Sequence, residues 1–171
     1  GLSIQTDRPL RVGEFCQIGE NLGFVTKIGL RSLELQTLES LVKIPNSVAD
    51  EATIVNFSRR DSSLSPNPRQ GVELRLQLPD HFSPFQLEEL LRQSRLLIQD
   101  PERLDGLKAE SFLVSLDNDS GDGKTLIVFV LVELHGWPAY LHMRETLVVQ
   151  LEELLERIDL YEITIGVSYS T

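Results

Sequence analysis

The acidic segment from Asp117 to Gly123 is the part of this sequence whose composition comes closest to supporting chemistry. It reads Asp-Asn-Asp-Ser-Gly-Asp-Gly, and carboxylate and amide oxygens are the ligands that calcium prefers. A helix–loop–helix calcium loop places oxygen ligands at positions one, three and five, glycine at six and glutamate at twelve. Counted from Asp117, position five is Gly121, position six is Asp122 and position twelve is Val128. The pattern fails, so the segment predicts an acidic hairpin turn rather than a metal site.

Histidine and cysteine give no stronger indication of catalysis. The three histidines, His81, His135 and His142, are too scattered for a recognisable zinc spacing. Cys16 is the only cysteine, which excludes a disulfide within the chain and fits a reducing cytosol. The chain also lacks the Gly-x-Ser-x-Gly, P-loop and dinucleotide-binding glycine patterns. We therefore expect no enzyme activity and no cofactor.

The charge of the chain is distributed unevenly. Residues 1–66 hold seven Lys/Arg against eight Asp/Glu, net −1, whereas residues 67–171 hold nine against eighteen, net −9. An acidic second half repels phosphates, so a nucleic-acid partner is not expected. No apolar run approaches the roughly 18 residues of a membrane-spanning helix, and the start at Gly1 has no signal sequence and suggests a cut or processed end.

Short apolar strands alternate with glycine and polar turns in the first part of the chain. Five short strands with tight turns favour a small SH3- or Sm-like β-barrel, because closure hides the sheet edges. The polar segment 61–71 contains two prolines, which resist helix and central strand alike, so we place a domain boundary there. The predicted domains are residues 1–66 and 67–171. The predicted strands of the first are Glu14–Ile18, Phe24–Ile28, Ser32–Leu38, Leu41–Ile44 and Thr53–Phe57.

In the second part of the chain the spacing of apolar residues changes, and the pattern predicts both helices and strands. Ser83 is a suitable N-cap, Pro84 suits the first helical position, and Gln86 completes a capping box. The resulting order βαββαβ is that of a ferredoxin-like domain, in which two helices cover one sheet face and leave the other open. The predicted elements are the strand Val72–Leu78, a helix from Pro84 to about Ile98, the hairpin strands Phe112–Leu116 and Thr125–Leu134, a helix Pro138–Arg157 and a final strand Tyr161–Val167.

Four motifs stand in order in the first part of the chain: residues 8–14 (Arg-Pro-Leu-Arg-Val-Gly-Glu), 23–28 (Gly-Phe-Val-Thr-Lys-Ile), 41–46 (Leu-Val-Lys-Ile-Pro-Asn) and 56–60 (Asn-Phe-Ser-Arg-Arg). Taken in this order and spacing, they resemble the cytosolic β-domain of the small-conductance mechanosensitive channel (MscS-like) family. The second part is similar to that family's α/β domain by element order alone. The chain departs from the family pattern at Gly13-Glu14, where Gly-Asp is common, and at Glu39-Ser40, where an Asp-Gly turn is common.

The resemblance implies a homo-oligomeric ring of seven subunits under the cell membrane. The β-domains would pack side by side, and the α/β domains would enclose a cytosolic vestibule that filters solutes on their way to the pore. Arg8 and Arg11 would lie at the membrane face, where anionic headgroups and carboxylates favour arginine; the alternative is that both are solvated cations beside a strand. The pore-lining helix that contacts lipid is expected directly before Arg8, so this chain alone should not conduct ions or sense tension.

Four further residues are interpreted as fold-making rather than chemical. Gly13 and Gly23 are predicted to lie at backbone turns, and Pro45 with Asn46 is predicted to terminate a strand. The alternative function is a soluble module that binds a protein or a ligand through its open sheet face, without a membrane partner.

Overall fold

The computed structural model describes residues 10–59, 69–119 and 123–169, with side chains up to Leu160 except that of Asp119. The chain divides into two compact units. The first consists of Gly1–Gly71 and Glu133–Leu141, and the second of Val72–Val132 and His142–Thr171.

The first unit is built on a five-stranded antiparallel sheet with the strand order β4-β3-β2-β1-β5. All five strands predicted from the sequence are confirmed, with ends that differ by a few residues. The strands are β1 Phe15–Ile18, β2 Asn21–Ile28, β3 Ser32–Gln36, β4 Leu41–Pro45 and β5 Ile54–Asn56.

One face of this sheet carries the core of the first unit. Alternate residues of a strand point to the same face, and the register aligns Val25, Leu35 and Val42 across β2, β3 and β4. A β-bulge shifts the register of β2 against β3 between Val25 and Lys27. The buried core residues are Leu10, Cys16, Ile18, Val25, Leu33, Leu35, Ile44 and Ala49.

A short helix, α1 (Asn46–Glu51), follows β4 directly. The sequence pattern did not predict it, because six residues are too few to display helical periodicity. Pro45 ends β4 in an extended conformation, and Ala49 packs into the core from the helix.

The second unit contains a three-stranded sheet with the order β6-β8-β7. β6 neighbours β8 rather than β7, so the connection that carries α2 is a crossover. The predicted capping box of α2 is confirmed: Gln86 N–H donates to Ser83 Oγ, and Ser83 N–H donates to Gln86 Oε1. The elements that follow β5 along the chain are β6 Gln70–Gln77, α2 Pro84–Gln99, β7 Ser111–Asp119, β8 Gly123–Val132 and α3 Gly136–Tyr169, whose first residues belong to the first unit.

The predicted final strand Tyr161–Val167 is wrong, because the backbone is helical through Tyr169. Ile163, Thr164, Ile165 and Val167 are β-branched, and this local preference suggested a strand. No proline follows Pro138 in α3, and each residue added to an established helix gains a backbone hydrogen bond. Of the βαββαβ order, the described residues therefore form βαββα.

Candidate assembly surface

A buried ion pair closes the first unit where the chain enters and leaves the sheet. Arg59 Nε and Nη2 both bond the Glu14 carboxylate, the latter at 3.1 Å, and the two side chains are 11% and 6% exposed. The Arg11 backbone N–H also donates to Glu14. This bidentate arrangement joins residues 45 positions apart, and it fastens the segment before β1 to the segment after β5.

Next to this pair lies the single cysteine. Cys16 is fully buried on β1, and this burial raises the pKa of its thiol to about 12. The Glu14 carboxylate adds to the increase, whereas the Arg59 guanidinium opposes it. Since the thiolate is the reactive form, Cys16 is an inert core residue.

The two arginines expected at a membrane face have different outcomes. Arg8 lies outside the described residues. Arg11 is half-buried and follows Leu10, which packs into the core, at the start of the first unit. The structure thus places Arg11 beside Glu14, while its relation to a membrane stays a prediction.

The fold-making residues take three different roles. Gly13 lies in a turn with φ 93°, a conformation that glycine adopts without strain. Gly23 does not lie in a turn, which corrects the prediction: it is buried within β2 and pairs with Cys16. A Cβ at residue 23 would approach the Gln36 carbonyl oxygen to 2.1 Å, so the glycine permits two neighbouring strands to come close.

Pro45 and Asn46 occupy the junction between β4 and α1. Pro45 is the last residue of the strand and pairs with Ser32. The Asn46 side chain donates to the carbonyl oxygens of Gly29 and Leu30, at 3.3 and 2.9 Å. Asn46 therefore fixes the start of α1 against the turn between β2 and β3.

An aromatic cluster covers part of the second sheet face of the first unit. Phe15 contacts Phe24, Phe57, Trp137 and Tyr140, with ring centroids 4.8 to 5.6 Å apart. Trp137 Nε1 donates to the Gln36 carbonyl oxygen at 2.8 Å. No local signal in the sequence indicated that residues 133–141 complete the first unit.

The rest of this face, together with the sheet edges, exposes large apolar side chains. Gln17 of β1 pairs with Leu22 on one side and Val55 on the other, so these three side chains share one face. Val55 belongs to β5 and Leu41 to β4, the strands at the two ends of the sheet order. Most exposed large hydrophobic residues lie in the first unit: Val12, Leu22, Ile28, Leu30, Leu38, Leu41, Val48, Val55, Phe57 and Leu141.

The three histidines do not lie together in the structure. His81 Nε2 lies 2.7 Å from Asp159, His142 contacts Asp105, and His135 lies 3.8 Å from Glu133 in the first unit's terminal segment. Each histidine thus has its own carboxylate. Within residues 10–59, 69–119 and 123–160, no group of three or more His, Cys, Asp or Glu side chains could hold a metal ion.

The acidic segment forms the hairpin that its sequence predicts. Asp117 pairs with Thr125, Asn118 with Lys124 and Asp119 with Gly123, so β7 and β8 pair up to the last described residues of the hairpin. Residues 120–122 lie outside the described part of the chain.

A groove of about 410 Å³ lies between α2 and α3 of the second unit. Its walls are largely apolar, and its one carboxylate, Glu89, accepts hydrogen bonds from Arg92 and Gln93 that lower the pKa of this carboxyl group. The lining residues are Phe85, Glu89, Gln93, Leu154, Arg157 and Ile158.

Among the helices of the described residues, none has the combined length and hydropathy needed to cross a bilayer.

Residues 1–59 match the protein family described as "Mechanosensitive ion channel, beta-domain". A curated protein of Aquifex aeolicus (strain VF5), named "Uncharacterized MscS family protein", is 27% identical over 158 residues. That alignment covers 92% of this chain and 40% of the relative, so the chain spans less than half of the relative's length.

Solved structures of two other proteins share the fold of this chain. The chain is similar to the cryo-EM structure of wild-type MSL1 from Arabidopsis thaliana, with a TM-score of 0.57 and 19% identity over 91% of this chain and 52% of that one. It is also similar to the crystal structure of Helicobacter pylori MscS in the closed state, with a TM-score of 0.54 and 11% identity over 91% of this chain and 56% of that one.

Proposed function

Because residues 1–59 match the β-domain of mechanosensitive ion channels and the chain is 27% identical to an MscS family protein, we propose that it is the cytosolic region of a channel subunit. Its first unit assembles copies of the chain into a ring, which the family resemblance implies to be a heptamer. The observation that carries this proposal is the exposed apolar surface of the first unit, which includes both edge strands of its sheet.

Edge strands are the natural sites for contact between chains. An edge strand with exposed apolar side chains is a hazard in a monomer, since it can pair with another chain. Leu41 on β4 and Val55 on β5 are such side chains, and Leu22 extends the apolar surface beyond Val55. Scattered apolar residues are normal on a surface, but a concentration of them in one unit indicates an interface.

The two edges favour a ring over a symmetric dimer. A contact between the β4 side of one copy and the β5 side of the next joins two different surfaces. Such head-to-tail contacts close into rings when the rotation between copies is a simple fraction of a turn. In this arrangement the five-stranded sheet curves as an SH3- or Sm-like barrel, and Arg8 and Arg11 face the membrane and its anionic headgroups.

The second unit supplies the wall of the vestibule. Residues 67–171 carry a net charge of −9, so a ring of these units concentrates cations near the openings through which solutes reach the pore. This role is passive filtering and requires neither catalysis nor a cofactor.

Oligomeric mass tests the proposal directly. The complete polypeptide, purified in detergent, is expected to have a mass near seven subunits by multi-angle light scattering. Val55→Asp introduces a charge at the proposed contact and should reduce the assembled fraction. Leu113→Asp is the matched control, because Leu113 is equally apolar and exposed but lies in the second unit. A monomer or dimer in the unmodified protein contradicts the proposal.

A second candidate function rests on the open sheet face of the second unit. Leu113 is exposed and pairs with Phe129, while Ile127 lies on the same face two residues away. A soluble module would bind a protein or a ligand there. If Leu113→Asp abolished a binding activity while the complete polypeptide remained monomeric, this candidate would replace the channel proposal.

A further inference from the structure

The turn between β2 and β3 forms an apolar projection of the first unit. Leu30, at its tip, is 87% exposed, and Ile28 and Val48 are exposed beside it. The Asn46 hydrogen bonds to Gly29 and Leu30 hold the start of α1, and with it Val48, against this turn. We call these three side chains, Ile28, Leu30 and Val48, the Leu30 projection.

Three cations lie near the Leu30 projection in sequence or in strand register. Arg31 follows Leu30 directly, while Lys27 and Lys43 pair with Glu34 from its two sides in adjacent strands. Within the described part of the chain, no ion pair engages Lys27, Arg31 or Lys43. Glu34 is the one carboxylate in these strand rows, while Asp50 and Glu51 follow Val48 on α1. The strand side of the projection, with three cations and one carboxylate, is therefore basic on a chain of net charge −10.

The projection lies at the end of the sheet where the chain enters it. Gly13 N–H donates to the Val25 carbonyl, and Val25 N–H donates to the Glu14 carbonyl, so residues 13 and 14 flank the middle of β2. β2 then continues past this point to Ile28 and the turn. The opposite end of β3 leads to the turn that carries Leu38 and Glu39.

We propose that the Leu30 projection touches the surface of a bilayer that contains anionic lipids. Leu30 enters the headgroup region, and Lys27, Arg31 and Lys43 lie against lipid phosphates. The inference rests on the proposed function, since a segment that joins the first unit to a membrane helix would bring this end of the sheet to the bilayer. An apolar tip with basic flanks fits an anionic lipid surface better than it fits an acidic protein surface. A bilayer offers both burial of Leu30 and neutralisation of the neighbouring cations.

A fluorescence experiment on the full chain tests the contact. The chain is tethered through an N-terminal His tag to vesicles that contain a nickel-chelating lipid, either in phosphatidylcholine alone or with phosphatidylserine added. A bimane probe is attached at Leu30→Cys. Cys16 will not be labelled, because it is buried and its thiol pKa is raised to about 12. Leu38→Cys is the matched control, since Leu38 is 62% exposed in the turn at the other end of β3 and is followed by Glu39.

The proposal predicts a blue shift of the probe at residue 30 on phosphatidylserine vesicles and none at residue 38. Replacement of Lys27 and Lys43 by glutamine should weaken the response, by about fivefold in lipid affinity for each cation removed. Equal behaviour of the two probes, or a probe at residue 30 that stays in water, overturns the inference.

The outcomes separate this inference from the proposed function. A complete polypeptide that forms a ring while the probe at residue 30 remains aqueous removes the membrane contact and leaves assembly intact. A blue shift at residue 30 in a protein that remains monomeric supports the membrane contact and removes the ring.

Discussion

Gly23→Ala is the substitution for which the structure gives the sharpest expectation. The new Cβ would lie 2.1 Å from the Gln36 carbonyl oxygen, whereas ordinary contact begins at 3.4 Å. Because the close atom belongs to the backbone of β3, no side-chain rotation relieves the overlap. β3 must move away from β2, and the same carbonyl accepts the Trp137 Nε1 hydrogen bond.

The size of the effect follows from these contacts. Overpacking that forces a backbone shift costs about 1–3 kcal/mol, and loss of the Trp137 hydrogen bond adds about 1 kcal/mol. We therefore expect the free energy of unfolding of the first unit to fall by about 3 kcal/mol. Since Trp137 is the only tryptophan, its fluorescence reports on this unit during urea denaturation.

Gly19→Ala is the control, because residue 19 has a φ of 61° but no atom within 4 Å of a built Cβ. It should cost about 1–2 kcal/mol through backbone strain alone and leave the native Trp137 emission unchanged. Two results together would refute this reasoning. One is a free energy of unfolding for Gly23→Ala within about 1 kcal/mol of that of the unmodified chain, the size of an ordinary surface change. The other is an unaltered native Trp137 emission.

Three further changes test other parts of the structure. Glu14→Gln should destabilise the first unit by about 3 kcal/mol in urea denaturation, because it leaves the Arg59 charge buried without its partner. Adding Arg59→Met should recover part of this loss, whereas strictly additive losses would contradict the buried pair. The raised thiol pKa of Cys16 makes the folded state hold its proton while the unfolded state releases it above about pH 9. The stability advantage of the unmodified chain over Cys16→Ala should therefore shrink by up to about 1.4 kcal/mol per pH unit as pH rises from 9 towards 12, and a constant difference would refute this. Ser83→Ala removes the capping-box acceptor of α2 and should cost about 1 kcal/mol in thermal unfolding followed by circular dichroism, whereas Ser111→Ala, at the first residue of β7, should be nearly neutral.

The strands of the first unit were predictable because each is short, apolar at alternate positions and bounded by turn residues. The capping box of α2 was equally local, since Ser83, Pro84 and Gln86 stand within four residues of one another. The motifs shared with the channel family also lie within these strands and turns. Where a structural feature depends only on neighbouring residues, the amino-acid sequence alone was sufficient to predict it.

The end of α3 shows the limit of that approach. Residues 161–167 have a local preference for a strand, yet they continue a helix that began at Gly136. Propagation from an existing helix outweighs the preference of a few β-branched residues. No seven-residue window contains that information.

The candidate assembly surface was even harder to predict from the sequence. No local pattern marked Glu14 and Arg59 as a pair or Trp137 as part of the first unit, and Gly23 was interpreted as a turn glycine. Their actual roles depend on atoms that are 45, 13 and 101 residues away in sequence.

The amino-acid sequence by itself determined the strands of the first unit, the start of α2, the β7–β8 hairpin and the relation to the MscS family. Each of these depends on residue types at short, regular spacing. Only the tertiary structure decided which charges are buried together, which glycine lets two backbones approach closely, and which apolar side chains remain exposed for a partner. Burial and close approach are properties of residues distant in the chain, and folding must bring these together before either exists.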